Sequence, residues 1–136
     1  MKELKIKAVL ENLPKVTQFI DEQLESKGCN PAIQIQMDVA VEEMFVNIAS
    51  YAYTPDTGMA TICVDISDDE AVVKIKFIDS GVPYNPLAKQ DPDITKPVEE
   101  REIGGLGIFM VKKSMDDMEY EYKDGQNILT ITKRMK

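Results

Sequence analysis

Three places in this 136-residue chain combine residue types that can do chemistry. Glu43 and Asn47 lie four apart. On a helix that spacing puts them about 40° from each other, so a carboxylate and an amide stack on one flank. Glu43 could polarise a hydroxyl or a water, and Asn47 could give its carbonyl oxygen to a hard cation such as Mg2+. Ile78-Asp79-Ser80-Gly81 closes an apolar run. A carboxyl group at a strand end can accept a hydrogen bond from the exocyclic amine of a purine, and Gly81 lets the backbone come close to the ring. Gly104-Gly105-Leu106-Gly107 runs directly into Ile108 to Val111. Glycines that open a helix expose backbone N–H groups to an anion, and the helix dipole adds to the attraction. Each pattern has a plainer counterpart: a solvated helix flank, a tight turn, a flexible loop-to-helix junction.

None of the three is a familiar phosphate-binding signature. The glycine stretch lacks the Gly-Lys-Ser/Thr ending of a Walker A loop. It does not follow a strand directly, as a dinucleotide-binding fingerprint must. A nucleotide bound here is therefore bound in some third way. Lys89, Lys96 and Arg101 are the positive charges between Asp79 and Gly107. Arg101 is nearest the glycines, where it could screen phosphates, although each of the three also suits a solvated loop. Asp91, Asp93, Glu99, Glu100 and Glu102 outnumber them. That balance repels free ATP but admits a nucleotide carrying magnesium, or a basic partner surface.

Local patterns predict the elements that must position these residues. Leu4, Ile6, Ala8 and Leu10 alternate as in a strand with one buried face. Pro14 opens a helix whose Val16, Phe19, Ile20 and Leu24 recur at helical spacing, and Gly28 can end it. Asn30-Pro31 caps a second helix running to about Tyr53, where Thr54-Pro55-Asp56-Thr57-Gly58 breaks it. Met37, Val41, Met44 and Ile48 form its core-facing stripe, with Glu43 and Asn47 beside that stripe and Glu42 on the far side. Met59 to Ser67 and Ala71 to Ile78 read as a hairpin joined at Asp68-Asp69-Glu70. From Asp79 to Gly107 come four prolines and four glycines, which reads as a long ordered loop, with a lid around 86–104. Leu106 to Met115 is helical again, and Met118 to Tyr122 and Ile128 to Thr132 form a closing hairpin turned near Asp124-Gly125. Consecutive hairpins call for an α+β fold, an antiparallel or mixed sheet with helices on one face, in a single domain over 1–136.

Composition narrows the function classes. A formal charge of −8 and a pI near 4.6 work against nucleic acid and against anionic lipid. No apolar run reaches the roughly 18–20 residues that span a bilayer, so no membrane is expected and a cytoplasmic place is. The absence of histidine removes the commonest zinc ligand and every imidazole base. Cys29 and Cys63 read as reduced thiols, and Cys63, in a strand, as core packing. The five tyrosines are spread along the chain and, without a basic stripe, make no base-stacking platform.

In order and spacing, Glu43-Met-Phe-Val-Asn47, Asp79-Ser-Gly81 and Gly105-Leu-Gly107 resemble the three nucleotide boxes of the GHKL ATPase superfamily. The short chain, with strand and helices ahead of the first box, looks most like the bacterial anti-sigma factor serine kinases of the RsbW and SpoIIAB type. The resemblance implies a two-layer α/β sandwich with a mostly antiparallel sheet. It implies ATP and Mg2+ as ligands, with Glu43 catalytic, Asn47 on the metal and Asp79 on the adenine amine. Gly81 would lie beneath the ring and Gly105, Leu106 and Gly107 around the phosphates; relatives commonly carry basic residues just ahead of the last glycines, whereas here Ile103 is adjacent and Arg101, read above as a screen for phosphates, lies farther back. Its implied partners are an anti-anti-sigma antagonist of the STAS type and a sigma factor, with homodimerisation also implied. The implied activity is a protein serine/threonine kinase, the alternative being a nucleotide-dependent binding switch that transfers nothing. Tyr51-Ala52 departs from the histidine-glycine common after the asparagine, and Pro83 stands where many members carry a second glycine.

Overall fold

The structure is a computed structural model, and it describes residues 1–67, 69–88 and 105–135. Strand β1 covers Lys2–Lys7, helix α1 Leu13–Ser26, helix α2 Pro31–Asn47, strand β2 Met59–Ser67 and strand β3 Val72–Asp79. After a 3-10 turn at Pro86–Ala88 come helix α3 at Gly105–Ser114, strand β4 at Asp117–Lys123 and strand β5 at Gln126–Arg134. The rest of the expected lid, with Lys89, Lys96, Arg101 and Gly104, lies outside the described residues.

The first two helices begin and end where their local chemistry dictates. Pro14 occupies the first turn of α1. At its end Gly28 takes a positive φ of 68°, and Cys29 N–H bonds back to the Leu24 carbonyl at 3.1 Å, closing the orphan carbonyls of the last turn. Asn30 caps α2, its side-chain oxygen accepting from Ala32 N–H at 2.8 Å, with Pro31 following in the first turn. The helix does not simply stop. Ile48–Ala52 continue it as a π-helical turn, which the sequence pattern did not distinguish from ordinary helix.

The five strands form one sheet in the order β1-β2-β3-β5-β4, antiparallel at every pairing. Both hairpins form where expected, the second on Asp124 and Gly125 with φ of 54° and 77°, as a two-residue turn between twisted strands requires. It extends further than its apolar residues suggested, to Asp117–Lys123 and Gln126–Arg134. By carrying the chain across one face, α3 sets β4 parallel in direction to β3, and β5 fills the gap between them.

Period-two alternation gives the sheet two unlike faces. Val73, Ile75, Phe77 and Asp79 of β3 are buried, while Lys74 and Lys76 between them are exposed. Against the apolar face pack Val16, Ile20 and Leu24 of α1, the α2 stripe of Met37, Val41, Met44 and Ile48, and Ile108 and Val111 of α3. Each large side chain buried this way contributes roughly 1.5–3 kcal/mol. Cys63 corrects its expectation. It lies between Ile62 and Val64, which face the core, so it points to the other side. There it is paired with Glu3 and Lys76 and covered by them and their neighbours; that burial, with Glu3, pushes its thiol up. No helix among the described residues is long and apolar enough to cross a membrane.

Candidate functional site

The C-terminal end of β3 and the end of α2 meet at a cavity. Asp79 is the last residue of β3 and is buried on the helix side of the sheet. Its Oδ1 accepts two hydrogen bonds, from Gly81 N–H at 2.9 Å and from Asn127 Nδ2 at 2.9 Å. Among the described residues no partner occupies Oδ2. The Asp79-Ser80-Gly81 corner is clamped from outside: Ser80 N–H donates to the Tyr53 hydroxyl at 2.8 Å, and that hydroxyl donates to the Met59 carbonyl at 2.6 Å. Val82 N–H bonds the Ala52 carbonyl at 2.9 Å. Gly81 passes so close to the π-helical turn that a Cβ there would lie 2.5 Å from the Ala52 carbonyl carbon and nearer still to its oxygen. Only glycine fits that approach.

Asn127 is the residue that sequence reasoning missed. It stands opposite Asp79 in the β3–β5 register and is, with Asp79, one of two buried polar side chains among the described residues. Its signal was present. Asn127, Leu129 and Ile131 share one face of a strand, which places an amide on the core side. Its Oδ1 accepts from Tyr84 N–H at 3.0 Å and from the Tyr120 hydroxyl. Its Nδ2 donates to Asp79 and, at 2.9 Å, to the Val82 carbonyl. Burial pushes the Tyr120 hydroxyl up.

The cavity holds about 430 Å3 of empty space, its open mouth included. Met44, Ile48, Phe77 and Leu129 give it apolar walls, and Asp79 is the one carboxyl among its lining residues. Tyr51, Tyr84 and Tyr120 also line it, with the Tyr51 and Tyr84 rings 6.1 Å apart and tilted by 34°. Tyrosines scattered in sequence thus converge here, contrary to expectation; strand order and the π-helical turn bring them together. The chemistry on offer is that of a flat heterocycle with one polar edge.

Asn47 lines the same cavity. Its Nδ2 donates to the Glu43 carbonyl at 3.0 Å, which leaves Oδ1 as the atom presented outward. One turn back, Glu43 is half-buried, and its carboxyl is pushed up by that burial and then by the charge of Glu42. A Cβ built on Gly107 would lie 2.5 Å from Oε2 of Glu43 and nearer still to Oε1, so the carboxyl group rests directly over the first turn of α3. Gly105, Leu106 and Gly107 form that first turn, whose backbone N–H groups have no partners within the helix. The structure therefore joins Asp79 and Asn47 around the cavity, Gly81 to Asp79 behind it and Glu43 to Gly107, while Arg101 is not among the described residues. Among those residues no cluster of three or more histidine, cysteine or acidic side chains could hold a metal ion. A lone amide oxygen suits Mg2+ whose other ligands are phosphate and water.

Residues 6–133 match the family described as the histidine kinase-like ATPase domain. The chain belongs to that family. Among curated members it is 34% identical over 97 residues to the serine-protein kinase RsbW of Bacillus mycoides strain KBAB4, and 35% identical over 97 residues to that of Bacillus cereus strain B4264. Each match covers 68% of this chain and 59% of the relative, so the similarity spans little more than half of the relatives' length. Solved structures share the fold, among them two from other bacteria. The RsbU and RsbW domains of a Mycobacterium tuberculosis protein superpose with a TM-score of 0.68 at 16% identity, over 99% of this chain and 33% of that one. The Acinetobacter baumannii histidine kinase AdeS gives 0.53 at 13%, over 99% and 69%.

Proposed function

We propose that this chain binds ATP with Mg2+ and transfers its γ-phosphoryl group to a serine or threonine of a small antagonist protein of the STAS type, so regulating a sigma factor. The observation that carries the reading is one line of groups along α2. The cavity with Asp79 lies at one end, Asn47 borders it, and Glu43 rests on the first turn of α3. That sequence of groups matches a nucleotide laid from base to terminal phosphate. Similarity to the RsbW kinases supports the same reading.

Asp79 would take the adenine amine through Oδ2, and the apolar walls the faces of the ring. The N–H groups of Gly105 to Gly107 would hold phosphate oxygens at the helix N-terminus. Asn47 Oδ1 would hold Mg2+, which when bound offsets charge on the phosphates. Glu43 orients the acceptor hydroxyl and takes its proton as the new oxygen–phosphorus bond forms and the bond to ADP breaks. Burial of Glu43 raises its affinity for that proton. Phosphate on the antagonist would weaken its dock against a protein of formal charge −8.

Calorimetric titration of ATP, with and without magnesium, against the native chain and Asp79→Asn tests the pocket. Magnesium-dependent binding lost in the variant is expected; no binding to the folded native chain overturns the reading. Labelled phosphate appearing on the antagonist with the native chain but not with Glu43→Ala tests transfer. Tight ATP binding with no transfer to any cognate antagonist would leave a nucleotide-dependent binding switch.

A further inference from the structure

Asn127 has a capacity of four hydrogen bonds, two donated and two accepted, and spends all four inside the protein. Its partners come from three places: Asp79 at the end of β3, the Val82 and Tyr84 backbone beyond it, and Tyr120 on β4. They also fix which way the amide faces. Turned over, its nitrogen would meet the Tyr84 N–H, and its oxygen would meet Asp79 Oδ1 and the Val82 carbonyl. Each of those encounters sets donor on donor or acceptor on acceptor. A buried amide so held has one orientation.

The consequence falls on Asp79. Two N–H groups converge on Oδ1, from Gly81 and from Asn127, and the carboxyl group is held between them. What remains toward the cavity is an acceptor, Oδ2. Neither the Asn127 amide nor the Gly81 N–H is left free to meet a carbonyl oxygen on a ligand. We infer that Asn127 is a positioning residue for base selection: it sets Asp79 to read an exocyclic amine and, together with Asp79, keeps its own amide hydrogens and the Gly81 N–H from a carbonyl at that place. The ligand class is a nucleotide whose base carries an amine where hypoxanthine and guanine carry oxygen. This rests on the nucleotide reading above and adds to it a residue of the cavity wall whose hydrogen bonds all lie within the protein.

The test compares ATP with ITP, whose base has oxygen in place of the amine and hydrogen on the neighbouring N1, each titrated calorimetrically with magnesium chloride. The native chain should prefer ATP by at least about 100-fold, since a site built around a hydrogen bond penalises the analogue that leaves it unmet. Asn127→Val and Asn127→Thr are near-isosteric, both suit a strand, and only threonine can donate to Asp79. The Val variant should lose at least tenfold of the preference, mainly through weaker ATP binding, while the Thr variant stays within threefold of the native ratio. A purely structural role would weaken both nucleotides equally and leave the ratio unchanged, and that result overturns the inference. Equal ratios for Val and Thr overturn it as well. If the Val variant does not fold, Asn127→Ala and Asn127→Ser carry the same comparison with the same expected split. Failure of the native chain to bind either nucleotide is a different result, and it removes the nucleotide reading itself.

Discussion

Replacing Gly107 by alanine should separate folding from chemistry, because the two close-packed glycines of this site press on different things. At Gly107 the new Cβ would meet the end of the Glu43 side chain, 2.5 Å from Oε2, where ordinary contact begins near 3.4 Å. The carboxyl group must retreat by about 1 Å, and it can, by twisting about 30° off its rotamer at a cost of about 0.5–1.5 kcal/mol. Alanine in place of glycine in a helix returns about 0.5–1 kcal/mol. Net stability should therefore stay within about 1 kcal/mol, which for a chain of this length moves the melting temperature by no more than about 4 °C. Transfer is another matter. A base displaced by about 1 Å from the acceptor hydroxyl costs roughly 100-fold in rate, or about 2.7 kcal/mol in the barrier. ATP should still bind, since the base pocket is untouched, and lose only what the turn at Gly107 gives up on the phosphates. Gly81→Ala is the control. Its Cβ would meet the Ala52 backbone carbonyl, which has no rotamer to change, so overpacking should cost about 1–3 kcal/mol and lower the melting temperature by about 3–10 °C. The measurements are thermal melts by circular dichroism and single-turnover transfer from labelled ATP to the antagonist. Native transfer by Gly107→Ala, or a melting loss as large as that of Gly81→Ala, would refute the reasoning.

Three further outcomes are expected. On α2, Asp38 is pushed up to about 7 by burial, then by the hydrogen bond and charge of Asp21 and the charge of Glu25. One oxygen of each aspartate is buried without a partner. The folded state thus keeps a proton that the unfolded chain releases near pH 4, so this stability is complete below pH 4 and is lost as pH rises through 7. Asp38→Asn should be more stable than the native chain at pH 8, by about 1 kcal/mol given the screening of a partly solvated group. The two should converge near pH 4 in urea titrations, and parallel pH curves would exclude the pair. Because burial raises the Glu43 carboxyl, the transfer rate should climb with pH along a limb above the ordinary glutamate range, and Glu43→Gln should abolish that limb. A limb at the usual glutamate pH would show that burial does not tune the base. Tyr53→Phe removes the hydroxyl that joins Ser80 to Met59. It should cost about 1–2 kcal/mol of stability and weaken ATP binding, both read in one series of melts with and without ATP.

Local order explains how much was legible. Asn30-Pro31 and the Asp124-Gly125 turn act within a few residues of themselves, so a helix start and a hairpin could be read directly. The α2 stripe has helical periodicity, and Glu43 and Asn47 do share its flank, joined by the Asn47 bond to the Glu43 carbonyl. The strand-end position of Asp79 was also readable, because an apolar alternation runs up to it.

What only the tertiary structure decided lies in pairs far apart in sequence. Asn127 binds Asp79 across 48 residues because β5 inserts beside β3, and nothing near either residue encodes that strand order. Gly107 lies under Glu43 because α3 packs on α2, while its neighbouring glycines read equally well as a loose hinge. Cys63 is apolar enough for a core, yet period-two geometry turned it toward Glu3 and Lys76. Tyr51, Tyr84 and Tyr120 became one cavity wall through a π-helical turn, a bend after β3 and a strand edge. Sequence by itself determined the elements and most of the chemical groups, since capping, turns and periodicity are short-range. Which of those groups meet, and which atoms remain free, was settled by strand order and helix packing, where burial of the whole apolar face decides against any local preference.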